Sequence, residues 1–143
     1  MDKQIHLRLG AKPWQAADTA RLSKVLNHYD IPLAGILRQH RAYFLFECLD
    51  GEVQEANIWA YVPLSRAAAR KISRLSGERL TSAMHNAYRD QVITAALAVD
   101  GAIVRGTTFD LRAAEDLRTE ATRQVKRKVD QDSSAMNGLV TVA

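Results

Sequence analysis

The chain has 143 residues, a formal net charge of +4, and hydrophobic and charged shares of 47% and 25%. That balance belongs to one globular domain and excludes a disordered chain, a collagen-like fibre and a disulfide scaffold. Apolar runs such as 42–46 and 95–99 fall far short of the ~20 residues of a membrane-crossing helix, so no membrane partner is expected.

Residues 5–9 alternate apolar and polar and predict a short strand that Gly10 ends. Lys12-Pro13-Trp14 reads as a turn. Ala17, Ala20, Leu22, Val25 and Leu26 then recur at helical spacing, which predicts a helix stopped by Pro32. Strands are predicted at 34–38 and, with more aromatic character, at 43–49. Asp50-Gly51 carries the signal of a tight hairpin turn, because both central positions of such a turn need positive φ. The return strand is 56–62, with Ile58, Ala60 and Val62 on one face and Trp59 and Tyr61 on the other.

Pro63-Leu64-Ser65 leads into a helix with Ser65 as N-cap. Its buried stripe is Ala68, Ile72 and Leu75, and Ser76-Gly77 stops it. From about Arg79 the positions Leu80, Met84, Ala87, Tyr88, Val92, Ala95, Ala96 and Val99 predict a longer helix that Asp100-Gly101 breaks. Residues 101–109 fit a short strand or a buried crossing. Asp110 is the predicted N-cap of a last helix, whose stripe is Leu111, Ala114, Leu117, Ala121, Val125 and Val129. The expected fold is α+β: a small, mostly antiparallel sheet of about four strands with helices packed on one face. It forms a single domain over 1–132, and 133–143 is a loose tail or an edge strand.

The most informative stretch is 65–79. It holds Arg66, Arg70, Lys71, Arg74 and Arg79 against one acid, Glu78. Arg66, Arg70 and Arg74 are spaced i, i+4, i+8 and form a ridge on one helix face. Each like-charge i, i+4 pair costs roughly 0.2–0.5 kcal/mol, and Arg66 stands at the positive end of the helix dipole. A ridge that tolerates its own repulsion points to an anionic partner: an acidic protein surface, nucleic acid or a second copy of the chain. The plainer alternative is a solvated face whose arginine stems cover apolar surface. The second basic cluster, Arg123-Lys126-Arg127-Lys128, ends a helix that begins with Asp110, Glu115 and Asp116, and dipole complementarity accounts for it.

Residues 70–88 read helix, Ser-Gly turn, helix, but the second helix brings only Arg79 and Arg89, too few donors for a DNA-reading helix. The hairpin is acidic, with Glu47, Asp50, Glu52 and Glu55 against Arg41, so opposite patches suit self-association. His6, His28, His40 and His85 show no metal-ligand spacing, and no metal or cofactor is implied. His40 and Glu47 form the one imaginable base-and-orienter pair. The single cysteine, Cys48, cannot form an internal disulfide and reads as a buried hydrophobe. Tyr43, Trp59 and Tyr61 are candidates to line a pocket, with a filled aromatic core as the alternative.

These features favour a non-enzymatic, self-associating binding or regulatory module that uses its basic helix. Nucleic-acid binding by the same helix is the second reading, and a small enzyme or ligand-binding protein with an aromatic pocket is the third. No catalytic residue is assigned. With no secretory or lipidation signal in view, the expected location is cytoplasmic.

Overall fold

A computed structural model describes residues 12–14, 20–29, 31–51, 56–89, 91–111 and 115–142. Six strands, β1 (Ala20–Tyr29), β2 (Ile31–Gln39), β3 (Ala42–Gly51), β4 (Ala56–Leu64), β5 (Val92–Val99) and β6 (Ala102–Asp110), form one antiparallel sheet in chain order. Helices α1 (Arg66–Ser73) and α2 (Gly77–Ala87) lie between β4 and β5, and α3 (Leu117–Val142) follows β6. The class is α+β, but the sheet has six strands where about four are expected. The strand predicted at 5–9 lies outside the described residues.

Each difference has a local cause. The predicted helix before Pro32 is the edge strand β1. Its pairing with β2 shifts register between Leu22 and Lys24, between Val25 and Asn27, and between Asn27 and His28. A bulge turns a period of two into a step of three, so Leu22 and Val25 imitate helical spacing. Pro32 is tolerated in β2 because pairing with β3 begins only at Ala34, and the proline owes no amide hydrogen to a second neighbour.

The long helix predicted from Arg79 is α2 followed by β5. Ile93, Ala95, Ala96 and Ala98 are buried from both faces of the sheet. A strand covered on both sides is an unbroken apolar run, which periodicity alone cannot separate from a buried helix. Asp50 and Gly51 lie inside β3, paired with Ile58 and Asn57. The tight aspartate-glycine turn is instead Asp100-Gly101, with φ of 52° and 78°, joining β5 to β6. Asp110 is the last residue of β6. The N-cap of α3 is Asp116, whose Oδ2 accepts from the Thr119 amide at 3.0 Å and from Thr119 Oγ1 at 2.9 Å. The α3 backbone continues through Val142, where a loose tail or edge strand is expected.

The α1 stripe and its stop are corrected: Ala69 and Ile72 are buried while Ala68 and Leu75 are half-buried, the helix ends at Ser73, and Ser76-Gly77 opens α2 rather than closing α1. Ser65 caps α1 as expected, its Oγ accepting from the Ala68 amide at 3.0 Å, an arrangement worth roughly 1 kcal/mol. The alternation in β4 also holds. Ile58, Ala60 and Val62 face the helices with Ile36, Leu45, Ile93 and Ala95, and Ala69 and Ile72 of α1 and Ala121 and Val125 of α3 pack on them. Trp59 and Tyr61 face the other side with Leu37, Phe44, Phe46, Ala96 and Ala98. Residues 12–14 fasten onto that second face. The Tyr61 hydroxyl donates to the Pro13 carbonyl at 2.7 Å, and the Trp14 and Trp59 ring centroids are 6.2 Å apart. Among the described residues, no helix is long and apolar enough to cross a membrane.

Candidate functional site

The solvent face of α1 is basic throughout. Ala69 and Ile72, three residues apart, turn inward, with Ala68 and Leu75 half-buried beside them. That orientation leaves Arg66, Ala67, Arg70, Lys71 and Arg74 exposed along one stripe. Together with Leu75 these five residues line a shallow, solvent-open depression of about 640 Å³. Arg79 is exposed in the first turn of α2, beside exposed Glu78. The structure therefore brings Arg66, Arg70, Lys71 and Arg74 together, with Arg79 on the adjoining helix.

Among the described residues none of these five cations has a carboxylate within salt-bridge distance. Other cations of the chain do. Arg118 pairs with Asp50 at 2.6 Å, Arg105 with Asp132 at 2.9 Å and Lys128 with Asp132 at 3.8 Å, and Arg123 pairs with Glu120. The helix dipole treats the ridge unevenly. The helix has eight residues and ends at Ser73, so Arg70 and Lys71 fall in its last turn, where the carbonyl ends favour cations. Only Arg66, in a first turn without an acid, is placed against the dipole.

Two of the four cations of the α3 cluster, Arg123 and Lys128, are paired within the chain. Glu120 accepts from Arg123 and, at 2.8 Å, from Gln124 Nε2, and these hydrogen bonds hold its carboxyl down to about 2. Lys126 and Arg127 remain exposed beside Arg123, Asp130 and Gln131.

The acidic hairpin divides. Asp50 serves Arg118, and Glu52 and Glu55 lie outside the described residues. Glu47 is mostly buried on the helical face, near the fully buried Tyr88 hydroxyl, which makes no hydrogen bond of standard geometry. Burial pushes the Glu47 carboxyl above the usual carboxylate range, and Tyr88 pulls it partly back. Burial and then the Glu47 charge raise the Tyr88 hydroxyl. Arg41 stands at the opposite end of the β2–β3–β4 meander from Asp50. With Asp50 and Glu47 engaged inside the molecule, opposite patches give less support to self-association.

Glu47 and Glu120 oppose each other in their pH dependence. The depressed Glu120 contributes stability that is present above its ordinary value of 4.5 and is lost as pH falls toward about 2. The raised Glu47 means that the native state holds a proton the unfolded chain has already released. Its contribution worsens as pH climbs from the ordinary 4.5 through its raised value. Replacing Glu47 with Gln is therefore expected to raise the melting temperature at pH 7 and to leave it unchanged near pH 4. A melting series over that range checks this.

The other candidates separate. His40 sits in the two-residue β2–β3 turn with φ of 56°, whereas Glu47 pairs with Ala34, six residues along β2 from His40. A base-and-orienter pair does not form. Trp59 and Tyr61 are buried on one face of the sheet, and Tyr43 packs on the other. The three do not line a common pocket. Burial, before the Asp50 and Glu47 charges, pushes the Cys48 thiol up, away from nucleophilic thiolate chemistry. Among the described residues no group of His, Cys, Asp and Glu is placed to hold a metal ion.

Two contributors to this region escaped the sequence pattern. Arg41 occupies the β2–β3 turn. Arg38 lies opposite Tyr43 with its guanidinium 5.7 Å from the ring centroid and its Nε donating to the His40 carbonyl at 3.1 Å. Only strand register reveals how near they are to the start of α1. No family model, curated protein or solved structure matches the chain.

Proposed function

We propose that the chain is a binding module that engages an anionic partner surface through α1, with Arg66, Arg70, Lys71 and Arg74 as the contacting cations and Arg79 at the margin. One observation carries the reading. These guanidinium and ammonium groups are exposed along one stripe and lack carboxylate partners among the described residues, while the chain satisfies Arg105, Arg118, Arg123 and Lys128 internally. Crowded cations without carboxylate partners raise the local positive potential and attract a polyanion.

Heparin affinity tests this with a built-in control. R70E/R74E and K126E/R127E change the net charge equally, one pair at the C-terminal end of α1 and the other on α3. The first pair is expected to elute at much lower salt than the wild type, and the second near it, with both circular dichroism spectra native. Equal shifts for the two pairs would mean that bulk charge alone is being measured, and the reading fails.

A further inference from the structure

We infer that the anionic partner is the phosphate backbone of a nucleic-acid duplex, and that the contact surface extends from α1 to Arg41 in the β2–β3 turn. The inference rests on the anionic-partner reading above and narrows it.

The footprint follows from strand register. Tyr43 of β3 pairs with Leu64 of β4, the last pair of that ladder. Arg41 stands two residues before Tyr43 and Arg66 two residues after Leu64. The turn and the first residue of α1 therefore emerge side by side at one end of adjacent strands, which lie ~4.8 Å apart. From Arg66 the ridge continues through Arg74, about 12 Å along the helix axis at a rise of 1.5 Å per residue. Five cations (Arg41, Arg66, Arg70, Lys71 and Arg74), all exposed, make up the proposed track. Among the described residues none of the five has an ion-pair partner. Arg38 steadies the track's outer end by bonding the His40 carbonyl of the turn.

The chemistry of the track selects the class of partner. A protein interface takes most of its energy from large apolar or aromatic anchors seated in pockets. The exposed large apolar side chains among the described residues are Leu22, Val25, Val92, Val99 and Val104, and none lies on α1, α2 or the β2–β3 turn. A single strand is gripped by stacking its bases on exposed rings. The aromatic at this end, Tyr43, is half-buried and has the Arg38 guanidinium over it. A duplex needs neither device. It presents a fixed phosphate charge every ~1.7 Å of its axis, and guanidinium groups bind those oxygens without reading sequence.

The test is fluorescence anisotropy with labelled duplexes of about 20 base pairs: two unrelated DNA sequences and one RNA. A single strand and poly-glutamate serve as rivals. With five phosphate contacts, log K is expected to fall against log salt with a slope of about −4.5, roughly a 500-fold loss between about 50 and 200 mM. The two DNA sequences should bind alike, and the RNA arm shows which kind of duplex is preferred. Arg41→Ala should reduce the slope by about one, because one counterion fewer is released. An unchanged slope in Arg41→Ala, or tighter binding to the single strand, overturns the inference. If poly-glutamate binds as well as the duplexes, the anionic-partner reading stands and the duplex assignment falls. If no polyanion binds, both fall.

Discussion

Trp59→Ala is expected to leave the chain largely unfolded at room temperature. Trp59 is fully buried at the centre of the second sheet face, with the Trp14 and Phe46 ring centroids each 6.2 Å from its own. Emptying a site of that size costs about 3–5 kcal/mol. The loss does not stop at the cavity. Trp59 Nε1 donates to Asn57 Oδ1 at 2.8 Å, and Asn57 Nδ2 already lacks a partner among the described residues. Without the indole the whole Asn57 amide is buried and unpaired, a further penalty of roughly 1–3 kcal/mol. Together these approach the ~5–15 kcal/mol that holds a domain of this kind folded. Trp59→Phe separates the two effects, since the ring is largely kept and the hydrogen bond lost. Urea denaturation should rank the proteins wild type, Phe, Ala, with Phe the nearer to wild type. Equal midpoints for Ala and wild type would contradict the assigned core.

Gly35→Ala is the second severe substitution. Gly35 lies where β2 is sandwiched between β1 and β3, opposite Val25 and Phe46. An added Cβ would stand 2.4 Å from the Lys24 carbonyl oxygen and 2.9 Å from Phe46 Cε1. The first obstacle is backbone, so no rotamer change relieves it. β1 must move away from β2, or the Phe46 ring must leave its place in the core. Overpacking of this kind costs about 1–3 kcal/mol, and more when backbone has to shift. The expected result is a lowered denaturation midpoint, with hydrogen exchange accelerated first in β1, which among the described strands pairs only with β2. Unchanged exchange in β1 would show that the close approach is not as described.

Sequence patterns reported best where the physics is local. The Ser65 cap, the opposite faces of β4 and the strand at 43–49 each depend on neighbouring residues, and each could be read directly. Patterns failed where a distant element decides. The bulges of β1 are imposed by pairing with β2 and disguise a strand as a helix. The apolar run of β5 takes its state from being covered on both faces. The two Asp-Gly pairs are chemically alike, and only register makes 100–101 a turn while 50–51 stays in a strand. The His40-Arg41 turn carries neither glycine nor asparagine, so nothing local announced it.

The candidate site shows the same division. The density of arginines between 65 and 79 is visible in the residues alone, and so is their helical spacing. Their lack of carboxylate partners is not, because Arg118 and Arg105 find theirs 68 residues away on β3 and from strand to helix across β6 and α3. Sequence likewise cannot show that α1 ends at Ser73, which puts Arg70 and Lys71 in its last turn, where the dipole favours cations. The membership of Arg41 depends on the Tyr43–Leu64 pairing.

The most direct measurement of the central claim is a backbone amide NMR titration of the intact chain with a short DNA duplex. The account predicts that resonances of α1 and of the His40-Arg41 turn shift first and furthest, while those around Lys126 and Arg127 on α3 move little. Shifts centred on α3, or spread evenly over every exposed cation, would contradict it.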